Sequence, residues 1–180
     1  MANEQAAALK TMDLCRTLSG ADLDAIAAIV ETRNVAAGKD LFREGDPGDG
    51  LFLVISGEIK VTKLAPGGEH LLARLGPGGV LGEMSLVTAD ARSATGHALV
   101  DTRVIHMPAA RFRALLAADS VAAHKVVTAI AELLARRLAT MNGVVLELTA
   151  KAGVPAVDVP SLGQTQKMIA LHRKIQIWSF

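Results

Sequence analysis

The sequence predicts an α+β fold: an antiparallel β-sandwich, roll or barrel flanked by N-terminal helices and a long C-terminal helix. Three observations carry this. Short β-type runs alternate with turn signals from Lys39 to Met107, where most of the 16 glycines and three of the six prolines fall. Such close, regular spacing of strands indicates antiparallel architecture. After Pro108 the pattern changes to apolar residues at helical spacing. The chain has 180 residues, 51% of them hydrophobic, enough for one sizeable core.

The elements follow in order. Residues 4–17, rich in Ala and Leu, predict a short helix that holds Cys15 in its core. Ser19 then reads as an N-cap, with Asp22 and Asp24 in the first turn, where the helix dipole favours acids. Leu23, Ile26, Ala27 and Val30 follow at helical spacing, and Gly38 lies beyond the end. Strands are predicted in DLFRE, LFLVIS, GEIKVTKL, EHLLARL and HALVDTRVIHM, separated by GDPGDG, APGG and GPGG. In EIKVTKL, Ile59 and Val61 alternate with Lys60 and Thr62, the signature of a half-buried strand. The glycines at 45, 48, 50 and 57 read as turn residues, and the five histidines as mostly solvated.

Pro108 opens a short amphipathic helix over 109–117, and Asp119 or Ser120 caps a long one reaching about Ala150. Its apolar stripe is Val127, Ile130, Leu134, Leu138, Met141, Val145 and Leu148, spaced 3, 4, 4, 3, 4 and 3. That near-heptad pattern predicts a parallel dimer seam from Ile130 to Leu148, which Leu134→Asp should break. Asn142-Gly143 is expected to interrupt the helix locally. Gly153, Pro155 and Pro160 end it, and a last short helix is expected from Gln164 to Gln176. The organisation is N-terminal helices over 1–38, the β-domain over 39–108, two helices over 109–150 and a tail over 151–180.

Composition excludes several functions. Lys+Arg 19 against Asp+Glu 18 gives a net charge of +1, which argues against a broad nucleic-acid or polybasic membrane surface. Aromatics are 3%, too few for a platform on which single-stranded nucleic acid stacks. One cysteine excludes an internal disulfide, a zinc cluster and an iron–sulfur cluster. No apolar run approaches the ~20 residues that span a bilayer, and the N-terminus lacks a signal core. These features predict a soluble cytoplasmic protein. No His-x-His pair and no nucleophile–base–orienter set occur, so no enzyme, metal site or cofactor is expected.

The chemistry concentrates in residues 79–94, GVLGEMSLVTADARSA. Gly82 lets the backbone turn sharply or approach a ligand. Glu83, Met84, Ser85 and Leu86 can make one helical turn whose free N–H groups form an anion site. Nine residues after Glu83 comes Arg92, flanked by the small residues Ala91, Ser93 and Ala94, so its fork can reach two phosphate oxygens. A carboxylate is a good acceptor for a ribose hydroxyl, which suits Glu83. Together these describe a site for a phosphate attached to a sugar. An ion pair between Arg92 and Glu83 beneath a turn is the structural alternative.

GEMSL followed by ARSA, after LFREGDPGDGLFLVISGEIKV, resembles the phosphate-binding cassette of the cyclic nucleotide-binding domain family. The resemblance covers roughly residues 12–148 and implies a β-roll, the jelly roll or double-stranded β-helix of the catabolite activator type. It implies that Glu83 binds the ribose 2′-OH. Gly82, Met84 and Ser85 would offer backbone N–H groups or the Ser hydroxyl. Arg92 would pair with the exocyclic phosphate oxygens, with Ser93 as a further phosphate contact. Met141 and Asn142 would face the base, where they replace the hydroxyl pair of the catabolite activator protein. The expected function is a non-catalytic sensor of cAMP or cGMP that couples binding to helix movement. The expected partners are a second copy of the chain, through the long helix, and an unidentified effector protein. The alternative is a transcriptional regulator with a truncated or missing DNA-binding domain, since about 30 residues after Ala150 are too few for a winged helix-turn-helix.

Overall fold

The structure is a computed structural model that describes residues 2–88 and 90–152. Helix α1 (Ala2–Lys10) leads to a 3-10 turn (Asp13–Cys15) and α2 (Gly20–Ala27). Eight strands follow: β1 (Glu31–Val35), β2 (Asp40–Phe42), β3 (Gly50–Ser56), β4 (Ile59–Ala65), β5 (Gly68–Leu75), β6 (Val80–Leu81), β7 (Thr95–Ala98) and β8 (Thr102–Pro108). The short α3 (Glu83–Thr88) lies between β6 and β7, and α4 (Ala109–Ala117) and α5 (Val121–Ala152) follow β8. The chain divides into two compact units, Met1–Ala135 and Arg136–Phe180.

The strands form two four-stranded antiparallel sheets, ordered β1-β8-β3-β6 and β2-β7-β4-β5. The α+β roll with helices before and after it is the predicted fold class. Alternation explains the apolar run LFLVIS on β3. Phe52 and Val54 join Ile59, Leu81, Ala98 and Val104 in one cluster. Leu51 and Leu53 join Ile105 and Met107 on β8 in a larger cluster with the helices, including Leu9, Ile26, Phe112, Val126 and Ile130. A strand buried on both faces reads as a continuous apolar run.

Several elements differ from the sequence reading. The first helix ends at Lys10, so Cys15 sits in the 3-10 turn, where burial pushes its thiol up to about 12. The second helix stops at Ala27, and Glu31–Val35, read with the N-terminal helices, is β1. Its pairing with β8, from Glu31↔His106 to Val35↔Thr102, outweighs the helical spacing before it. HALVDTRVIHM is split at a corner between the two sheets, with Asp101 Oδ1 accepting from Ala37 N–H at 2.8 Å. Asn142-Gly143 does not interrupt α5: one Gly in 32 residues weakens a helix by only about 1 kcal/mol. The predicted 164–176 helix lies outside the described residues. Among the described residues, no single helix is long and apolar enough to cross a membrane.

Ser19 caps α2 as predicted, in a capping box with Asp22. Asp22 Oδ2 also accepts from Lys125 Nζ on α5 at 2.6 Å, tying the two helices together. The hydrogen bonds from Lys125 and from Ser19 hold the Asp22 carboxyl down to about 2. Folding therefore favours the carboxylate, and this contribution is complete above 3.8 and lost as pH falls toward 2. The Tm difference between the parent and Asp22→Asn should be large at neutral pH and close as pH approaches about 2. A constant difference across that range would contradict the clamp. Ser19→Ala should destabilise the fold by about 1 kcal/mol in chemical denaturation.

Candidate functional site

Two segments are pinned to each other at one edge of the roll. Gly45 N–H donates to Arg92 O at 2.9 Å, and Arg92 N–H donates to Asp46 O at 2.9 Å. The loop carrying GDPGDG is thus locked against the segment carrying Arg92. Gly48 belongs to the same contact. A Cβ there would collide with Ser85 and with Asp90 O, so only glycine lets the loop lie this close to α3.

The Arg92 side chain runs inward and is 1% exposed. Its Nη1 donates to Gly50 O at 2.7 Å and lies 3.4 Å from Gly82 O. Its Nη2 pairs with Asp49 Oδ1. The guanidinium lies over Phe42, 4.3 Å from the ring centroid, and 5.2 Å from that of Phe52. Burial pulls Arg92 below its ordinary pKa, while Asp49, Asp46 and Glu83 act in the opposite sense. Its Nε–H, buried, has no acceptor. A buried donor left without an acceptor is uncommon in a folded chain.

Around it stands α3, whose first residue Glu83 is 5% exposed. Ser85 is 2% exposed, and its carbonyl accepts from Arg113 Nη2 on α4 at 3.0 Å. Met84 is exposed, with its Sδ 3.9 Å from the hydroxyl of Ser93. The Ser93 carbonyl accepts from Lys63 Nζ at 2.8 Å. Among the described residues no group of three or more His, Cys, Asp or Glu is placed to hold a metal.

Residues 32–119 match the family described as "Cyclic nucleotide-binding domain". The N-terminal domain of a transcriptional regulator from Streptomyces coelicolor is 32% identical with a TM-score of 0.61, the match covering 76% of this chain and 95% of that one. This chain belongs to the cyclic nucleotide-binding domain family. The Cyclic AMP receptor protein of Thermus thermophilus is 36% identical over 131 residues, 72% of this chain but only 59% of that protein. The regulatory domain of Toxoplasma gondii PKA, solved with cAMP, is 28% identical with a TM-score of 0.57, covering 63% of this chain and 43% of that one.

In this cyclic nucleotide-binding domain, Gly82, Glu83, Met84, Ser85, Arg92 and Ser93 gather around α3 as one constellation. Met141 and Asn142 lie in the other compact unit, both exposed on α5. Sequence reasoning missed three residues. Asp49 sits in GDPGDG, read only as a turn, yet it is the counter-ion of Arg92. Arg33, in a segment read as helical, places Nη1 3.7 Å from Asp49 Oδ2. His106, one of five histidines read as mostly solvated, is 2% exposed. Its position two residues after Val104 was the available signal, since both then face the interior of the roll.

Proposed function

We propose that this protein is a non-catalytic cyclic nucleotide sensor whose cassette binds cAMP or cGMP. The observation that carries the reading is Arg92: a buried cation, held by Asp49 and two carbonyls, with one N–H unspent. The exocyclic phosphate oxygens supply the missing acceptor, with Ser93 as a further contact. Glu83 takes the ribose 2′-OH. Gly82, Met84 and Ser85 offer backbone N–H groups or the Ser85 hydroxyl. Titration calorimetry with cAMP, cGMP, cyclic di-GMP and AMP tests this. Saturable binding of a 3′,5′-cyclic mononucleotide is expected, with AMP much weaker. Equal affinity for AMP and cAMP would defeat it.

The proposed assembly is a homodimer through α5, with a narrower seam than the stripe suggests. Ile130 is 1% exposed in the domain's own core, and Val127 and Leu134 pack against the same cluster. Full burial of such a side chain is worth about 1.5–3 kcal/mol, so these residues are already employed. Leu138, Met141, Val145 and Leu148, at 49–62% exposure, remain for a partner. Leu138→Asp should convert the dimer to a folded monomer in analytical ultracentrifugation, lowering the melting transition only by the loss of the dimer contact. Leu134→Asp should destabilise the domain as well. A parent protein that is monomeric at micromolar concentration would refute the seam.

A further inference from the structure

One buried titratable side chain beside Arg92 has no role in the reading above. Neither ring nitrogen of His106, on β8, has a hydrogen-bond partner. The ring stacks on Phe52 with centroids 4.6 Å apart and planes at 21°. Phe52 is also one of the two rings under the Arg92 guanidinium. The His106 Nε2 is 3.4 Å from Asp49 Oδ2, while the other oxygen of that carboxylate holds Arg92. Gly50 permits the approach, because a Cβ there would stand 2.8 Å from Nε2. One carboxylate is therefore shared among two permanent cations, Arg92 and Arg33, and a titratable ring.

The charges facing His106 come from every side. Asp49 precedes β3, and Arg92 reaches in from the cassette. Arg33 on β1 stands 5.8 Å from the Phe52 centroid and 3.7 Å from Asp49 Oδ2. Glu31, opposite His106 in the β1–β8 register, is itself paired to Arg33 at 3.7 Å and to Arg111 of α4 at 2.9 Å. Burial and Arg33 push His106 below its ordinary value, with Arg92 adding to them and Asp49 and Glu31 opposing. The ligand-free ring is therefore mostly neutral at neutral pH.

We propose that His106 is a positioning residue of the phosphate site, which takes up a proton when an anion engages Arg92 and so makes binding tighter in acid. The proposal rests on the cyclic nucleotide reading of Arg92. A bound phosphate changes the surroundings of His106 in two ways. It offsets the Arg92 charge that disfavours an imidazolium. It also competes with Asp49 for the guanidinium, so more of that carboxylate's charge is available to Arg33 and to the ring 3.4 Å away. Protonated His106 then takes up part of the Asp49 charge, and the guanidinium, still in place, is freer to engage the ligand. By linkage, a group that binds protons more tightly in the complex strengthens binding as pH falls.

Calorimetry with cAMP, and with cGMP as second probe, is run on the full chain at about pH 7.5 and about pH 5.5, in buffers of different ionisation enthalpy. Affinity should rise about fivefold at the lower pH, with proton uptake on binding, within the limit of tenfold per pH unit for one proton. His106→Gln should bind with an affinity that no longer follows pH. A His106→Gln protein that keeps the parental pH slope, or that loses affinity equally at both pH values, overturns the proposal. Should that variant fail to fold, the imidazole NMR titration of His106 in the parent decides: its midpoint must move up on adding cAMP, and an unmoved midpoint overturns the proposal. Binding that is firm but flat with pH overturns this inference alone. Absence of binding at any pH overturns the cyclic nucleotide reading and this inference together.

Discussion

Arg92→Ala should weaken cyclic nucleotide binding by about 30- to 1000-fold, or ~2–4 kcal/mol. The cyclic phosphate carries one negative charge, and a charge-assisted pair with a guanidinium in a site screened from water is the strongest contact available to it. Arg92 is the only Lys or Arg between Arg74 and Arg103 in sequence. The fold brings in Arg33 from β1, but that side chain is already engaged with Asp49 and Glu31, each at 3.7 Å. Arg92→Lys should recover only part of the loss, since it keeps the charge and loses the fork. Glu83→Ala should act on another part of the ligand, weakening cAMP strongly and 2′-deoxy-cAMP little. The measurement is a cycle of both variants against both nucleotides, with folding checked by thermal melts. A folded Arg92→Ala protein that binds cAMP as tightly as the parent would mean that the cassette assignment is wrong.

The residues proposed to form the cassette could be picked out because they lie close together in sequence. Glu83 and Arg92 are nine residues apart, so spacing alone brings a carboxylate, a helical turn and a fork to one place. The residues around them were not legible, because each arrives from a distant segment. Asp49 reaches Arg92 across 43 positions, and nothing in GDPGDG separates a counter-ion from an ordinary turn acid. Arg33 was hidden by an apolar spacing that read as helix until the β1–β8 pairing claimed it. His106 was hidden by the habit of placing histidines in solvent, although alternation along VIHM puts it in phase with Val104. The long helix shows the same division. Its stripe was visible in full, but only tertiary packing separates Ile130, in the domain core, from Leu138, which is 62% exposed. Periodicity identifies a face and says nothing of how many partners share it.

Gly82→Ala is the second change expected to be severe, and a matched control isolates its cause. Gly82 has φ +76°, in the left-handed region, and Gly38 has φ +77°. An L-residue in that region costs about 1–2 kcal/mol on backbone grounds alone. The surroundings differ completely. A Cβ on Gly38 meets nothing within 4 Å. A Cβ on Gly82 collides with Arg92 Nη1 and stands 2.8 Å from Gly50 O. The guanidinium cannot yield freely, being held by Gly50 O at 2.7 Å, by Asp49, and against the Phe42 and Phe52 rings. Gly38→Ala should therefore lower stability by about 1–2 kcal/mol and leave nucleotide affinity as in the parent. Gly82→Ala should lower stability by about 3 kcal/mol or more, adding the displacement of a packed side chain to the same backbone strain. It should also weaken cAMP binding by on the order of tenfold or more, because the cation is pushed off the position that faces the phosphate. Urea denaturation and calorimetry on the two variants supply both readouts. Equal loss of stability with unchanged affinity in both would show that the close approach of Gly82 to Arg92 has no part in shaping the site.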